Sequence, residues 1–159
     1  MESKRLSVCI LASGSKGNAV YVSDGKTSIL IDAGLSGIEI ERRLLSKNLD
    51  PEDLDALVVS HEHGDHIQGV GVLSRRYNLP VYINELTFKA ARPHLGALHE
   101  TVHFRRGEPF SVGGLCLHPF SVSHDASDSV AFTVQNGTEK IGLATDLGIA
   151  TQLASHHLK

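Results

Sequence analysis

Seven residues, Ser60-His61-Glu62-His63-Gly64-Asp65-His66, follow directly on the apolar run 56–59. A short continuous apolar run of this kind reads as a strand buried on both faces. It delivers His61, His63, Asp65 and His66 together to its carboxyl end, and imidazole is the commonest metal-ligand side chain near neutral pH. Two zinc signatures fail here: H-E-x-x-H needs a histidine where Asp65 stands, and H-x-x-E-H is absent. What remains is H-x-H-x-D-H. An extended chain puts His61 and His63 on one side at period 2, where both can chelate one ion. Gly64 permits a sharp turn, after which Asp65 and His66 face back from the start of the next helix toward a second ion. Such a loop therefore predicts a two-metal site.

The remainder of the chain is consistent with one soluble domain. Its 159 residues suffice for a single core. With 41% hydrophobic residues, 21% charged residues and a formal net charge of -3, collagen-like, disordered and membrane-spanning classes are excluded. That charge also gives no global attraction to nucleic acid, which normally rests on an excess of Lys and Arg. The pairs Arg42-Arg43, Arg75-Arg76 and Arg105-Arg106 are read as solvated faces. Cys9 and Cys116 lie in apolar runs without disulfide-framework or C-x-x-C spacing and are expected to be buried structural thiols. Residues 6–12 are short for a signal-peptide core and lack a cleavage site, and no stretch reaches the roughly eighteen apolar residues of a membrane helix. The expected location is cytoplasmic, with no membrane partner.

Strands are expected at 6–12, 19–22 and 28–31, the last two joined by a tight Asp24-Gly25 turn. Ser36 and Glu39 form a capping box, Leu35 and Ile40 a hydrophobic staple, and Ile40, Leu44 and Leu45 one apolar stripe. Asp50-Pro51 opens a helical turn. Residues 67–77 and 85–92 read as helices flanking a strand at 81–83. Further strands follow at 110–112 and 115–122, and then a hairpin over 129–144 built on Asn136-Gly137.

A histidine loop cannot complete two coordination shells alone. His124 and Asp146 are the best additional ligands, because the hairpin brings the residues after both strands to one end of a sheet. Asp32, ending its own strand, suits support of the histidine loop. The 13–18 loop could line the cleft and present backbone N–H groups to a phosphate, making Ser13, Ser15 and Asn18 candidate substrate contacts. Other histidines (His94, His99, His103, His118) lack partners at ligand spacing.

The ordered set Asp32, His61-x-His63-x-Asp65-His66, His124 and Asp146 resembles the metallo-β-lactamase superfamily over essentially the whole chain. Ser13-Gly14-Ser15-Lys16-Gly17-Asn18 and Ser123-His124-Asp125-Ala126 are similar to its phosphodiesterase and nuclease branches, nearest the bacterial exonuclease-like group related to ribonuclease Z. The resemblance implies an αββα sandwich of mixed α/β class with metals at one edge of the paired sheets. It implies that His61, His63 and His124 hold one ion, Asp65 and His66 a second, and that Asp146 bridges. A further histidine of that family's second site has no counterpart in the thirteen residues after Asp146, and His156 and His157 follow too closely to replace it. The chain is thus expected to be one domain over 1–159 whose final strands and helix are missing.

The expectation is a dinuclear hydrolase of phosphodiesters, a DNA or RNA exonuclease or a related phosphodiesterase. Zn²⁺ suits the mixed imidazole and carboxylate ligands best and Mn²⁺ next. Asp65 and Asp146 would orient the nucleophile, while alternation turns Glu62 away from the metals. Two alternatives keep the fold: hydrolysis of a thioester or lactam, and an incomplete, inactive module that binds metal or self-associates through uncovered sheet surface.

Overall fold

The computed structural model describes residues 5–121, 130–137 and 139–143. His124, Asp146, His156 and His157 lie outside the described residues. A six-stranded sheet runs in the order β1 (Ser7–Ala12), β2 (Ala19–Ser23), β3 (Ser28–Ile31), β4 (Ala56–Val58), β5 (Pro80–Asn84), β6 (Glu100–Phe104). Its first three strands are antiparallel neighbours, and β3 to β6 pair in parallel. A second sheet is antiparallel, formed by β7 (Phe110–Val112), β8 (Leu115–Ser121), β9 (Val130–Asn136) and β10 (Glu139–Leu143) in the order β10-β9-β8-β7. Helices α1 (Gly37–Ser46), α2 (Gly64–Ile67), α3 (Val70–Tyr77) and α4 (Glu85–Leu95) connect strands of the first sheet.

Two cores follow from side-chain alternation along the central strands. Leu30, Leu57, Val81 and Ile83 face one way and pack with Ile40, Leu44, Val70, Leu73, Ala91 and Leu95 of the helices. Ile29, Ile31, Ala56 and Val58 face the other way and meet Leu115, Leu117, Val130, Phe132 and Val134 of the second sheet. The β4 strand is buried on both faces, as its unbroken apolar run requires. Helix, sheet and sheet are thus three layers of the αββα arrangement among the described residues.

Several local expectations need correction. The helix expected over 67–77 is interrupted, because Gly69 donates its N–H to the Ala33 carbonyl at 2.7 Å and a Cβ there would stand 2.5 Å from the Leu35 carbonyl oxygen. Helix α4 continues through Pro93. Burial of Leu95 in the helical core holds the last turn despite the missing amide. Strand β6 was not foreseen, since its residues alternate weakly and are mostly polar.

Only half of the capping box forms: Ser36 accepts from the Glu39 N–H at 3.3 Å, but the Glu39 carboxylate turns to Arg43 and Arg42. Leu45 falls off the apolar stripe at 60% exposure. Cys116 is exposed rather than buried, because Leu115 and Leu117 take the inward positions of β8. The hairpin turn is shifted by one residue. Asn136 pairs with Glu139, so Gly137, at φ +59°, takes the first central position of a two-residue loop.

The Phe132 ring lies edge-on to Phe104 and Phe110, at centroid distances of 5.7 and 6.5 Å. Phe132→Ala is expected to lower stability by about 3–5 kcal/mol, read as a fall in the urea midpoint. Leu45→Ala should stay within about 0.5 kcal/mol of wild type in the same titration.

Candidate metal centre

Strands β3 and β4 end side by side, with Ile31 opposite Val58, and the Asp32 N–H continues the ladder to the Val58 carbonyl at 2.7 Å. Asp32 then adopts φ +63°, a left-handed conformation that costs a non-glycine residue roughly 1 kcal/mol and that aspartate enters more readily than most. This turn aims the carboxylate at the neighbouring chain. Oδ1 accepts the Ser60 N–H at 2.7 Å, and Oδ2 accepts the Ser60 hydroxyl at 2.6 Å. The same Oδ2 lies 2.6 Å from His66 Nδ1, with Asp32 3% and His66 0% exposed.

These bonds define the tautomers of two histidines. An ionised carboxylate only accepts, so His66 Nδ1 carries the proton and Nε2 keeps its lone pair. Ser60 has spent its only hydrogen on Asp32. Its Oγ therefore accepts from His61 Nδ1 at 3.0 Å, which leaves His61 Nε2 as the lone-pair nitrogen as well. One buried carboxylate orients His66 directly and His61 through a hydroxyl, the arrangement by which outer partners orient metal-ligating imidazoles. Ser60 had been given no role from sequence. Its signal was a small hydroxyl between the buried strand and the first histidine.

Backbone contacts hold the loop from two other segments. Ala33 N–H bonds the His66 carbonyl at 2.9 Å, Asn18 N–H bonds the Asp65 carbonyl at 2.8 Å, and Gly34 N–H bonds the Asn18 carbonyl at 2.9 Å. Gly34 sits so close that a Cβ would lie 1.7 Å from the Asp65 carbonyl oxygen. The Asn18 amide also reaches Asp65 Oδ2 at 3.1 Å and His66 Nε2 at 3.3 Å. Ser13 and Ser15 are exposed, but Asn18 is buried. Its side chain is engaged with Gly14, Asp65 and His66.

The His61 ring centroid lies 3.7 Å from that of His66 and 5.0 Å from that of His63. His66 Nε2 is 3.5 Å from Asp65 Oδ2. Donor type, tautomer and mutual approach fit divalent metal. Among the described residues, however, no three of these side chains converge as a closed metal-binding group; the other two expected ligands, His124 and Asp146, lie outside the described residues. Gly64 lacks the positive φ expected of a sharp turn. The bend is made instead at His63, whose extended φ −65°, ψ 146° caps α2. No helix among the described residues is long and apolar enough to cross a membrane.

The profile of the Metallo-beta-lactamase superfamily matches residues 12–151. The chain is 40% identical over 141 residues to exodeoxyribonuclease YycJ of Bacillus anthracis, covering 87% of this chain and 53% of that protein. It is 41% identical over 143 residues to exodeoxyribonuclease WalJ of Streptococcus pneumoniae, again covering 87% and 53%. The chain thus spans about half the length of these relatives. Among solved structures, the metallo-beta-lactamase fold protein YhfI of Bacillus subtilis superposes with a TM-score of 0.72 at 18% identity, over 87% of this chain and 61% of that one.

The clamp is testable apart from any ligand. Gly34→Ala must displace the Asp65 backbone and is expected to cost more than about 2 kcal/mol. At Gly64 a Cβ meets nothing within 4 Å, so Gly64→Ala should stay within about 0.5 kcal/mol of wild type. Parallel urea titrations of the two variants check the contrast.

Proposed function

The chain belongs to the metallo-β-lactamase superfamily, and from that premise we propose that it is a metal-dependent hydrolase of phosphodiester bonds, a nuclease acting on DNA or RNA. The observation that carries this reading is the Asp32-Ser60 pair, which leaves Nε2 as the lone-pair nitrogen of both His61 and His66, in the loop that also holds His63 and Asp65. The exodeoxyribonuclease relatives support the substrate class. We read the chain as part of a single domain of this fold.

In this reading His61, His63 and His124 would hold one ion, Asp65 and His66 a second, and Asp146 would lie between them. Zn²⁺ suits these ligands, with Mn²⁺ next. When bound, the ions supply Lewis acidity, lowering the pKa of water and neutralising charge on the phosphate. The chain's own residues do the rest. Asp32 fixes the imidazole of His66 and, through Ser60, that of His61, so that neither ring must reorganise on loading. Asn18 donates to Asp65 Oδ2 and holds that carboxylate in one orientation, leaving Oδ1 to align the attacking water and take its proton. Backbone bonds from Ala33 and Asn18 keep the loop from swinging as substrate arrives.

Metal analysis and turnover test the reading together. Purified protein loaded with Zn²⁺ or Mn²⁺ is expected to hold about two ions per chain and to hydrolyse bis(p-nitrophenyl) phosphate and a single-stranded oligonucleotide. His61→Ala should abolish both activities. At most one equivalent of metal and no phosphodiester hydrolysis would overturn it. Asp32→Asn removes an obligate acceptor beside His66 and should weaken metal affinity about 10- to 100-fold, measured by competition with a chelating dye.

A further inference from the structure

Beside the histidine loop lies a cavity of about 430 Å³ lined by Glu62, Gly64, Ile67, Gln68 and His94. None of these residues is a candidate metal ligand. Its volume falls in the ~300–1,000 Å³ range of small-molecule sites. Three chemistries share its wall: the buried aliphatic Ile67, the amide of Gln68, and the ionisable side chains Glu62 and His94. The Glu62 carboxylate makes it a poor home for phosphate. An apolar floor with an amide and an imidazole suits a planar heterocycle, which stacks on one and hydrogen-bonds the other.

Gly64 joins this cavity to the candidate metal centre. It stands between His63 and Asp65 in the chain and also lines the cavity. Its backbone has no positive φ and a Cβ would meet nothing within 4 Å, so neither conformation nor packing demands glycine there. Gly34, by contrast, is demanded by the Asp65 carbonyl. A bare, exposed ridge between metal-ligand candidates and a mixed cavity leaves a path for a chain of linked groups to cross.

The geometry points to a nucleoside subsite: the base and sugar next to the scissile phosphate cross over Gly64 and settle between Gln68, Ile67 and His94. This rests on the phosphodiesterase reading and deepens it, because the pocket makes the enzyme select nucleotide esters over simple aryl diesters. His94, without ligand spacing in the sequence, becomes a specificity-determining residue.

The test is a selectivity ratio, kcat/KM for thymidine 5′-p-nitrophenyl phosphate divided by kcat/KM for bis(p-nitrophenyl) phosphate, on the metal-loaded full chain. The ratio cancels differences in metal loading. Wild type should favour the nucleotide ester, and Gly64→Leu and His94→Ala should each lower that preference about tenfold, the scale of losing one base stack. A preference absent from wild type, or unchanged in both variants, would overturn the subsite. If Gly64→Leu fails to fold, His94→Ala, at an exposed position, decides alone. If wild type turns over neither ester, the phosphodiesterase reading fails and thymidine binding judges the pocket. Nitrogen-15 shifts at the Gln68 amide that vanish in both His94→Ala and Gly64→Leu uphold it; no shift in wild type, or a shift unchanged in both variants, overturns it.

Discussion

At 3% exposure the Asp32 carboxylate has surrendered its hydration, a loss of several kcal/mol per ion that only well-placed donors offset. Three donors converge on it: the Ser60 amide, the Ser60 hydroxyl and His66 Nδ1. Two of them belong to Ser60, which follows the apolar run 56–59, the third to His66 in α2 at the far end of the histidine loop. The charge is therefore satisfied only when β3 and β4 are in register and the loop has folded back. Its left-handed φ is kept because the surrounding bonds over-determine it. Folding the sheet and shaping the candidate site are one event.

The cores on the two faces of the first sheet make that register rigid. Residues of β3 and β4 alternate between the helical core and the inter-sheet core, so a one-residue slip would exchange the two sets and move Asp32 off Ser60. The loop is then held from outside as well, by Ala33, Asn18 and Gly34, through backbone bonds. A site prepared in this way spends little reorganisation when a ligand arrives, which is where pre-formed sites gain over flexible ones.

What was legible in the sequence divides along the range of the forces involved. The β4 strand, the Asp24-Gly25 turn, the Ser36 cap and the histidine loop are local signals, each written within a few residues, and the structure contains all four. The break at Gly69, the outward Leu45 and the exposed Cys116 depend on what lies across the fold: the Leu35 carbonyl, the edge of the helical layer, the inward demand of Leu115 and Leu117. The role of Ser60 and the bonds of Asn18 to the histidine loop were not legible for the same reason. Their partners are 28 and 47 residues away in sequence, and no local pattern announces a bond at that distance. His124 and Asp146, read from the ends of strands that the hairpin brings together, lie outside the described residues.

The arginines bear on how a polyanion would be held. Arg43 donates to the Leu11 carbonyl, and Arg75 donates to the carbonyls of Leu95 and Ala97. Arg42 and Arg76 pair with Glu39 and Glu41 on α1, and Glu41 raises the pKa of Arg76 further by hydrogen bond and charge. Four of the six paired arginines thus brace helices and helix ends. With a net charge of -3 and these four guanidinium groups already engaged, the arginine pairs of the helices offer little general attraction to a phosphate backbone. In the proposed function that attraction would come from cations held at the histidine loop, beside a cavity whose walls include Glu62 and His94.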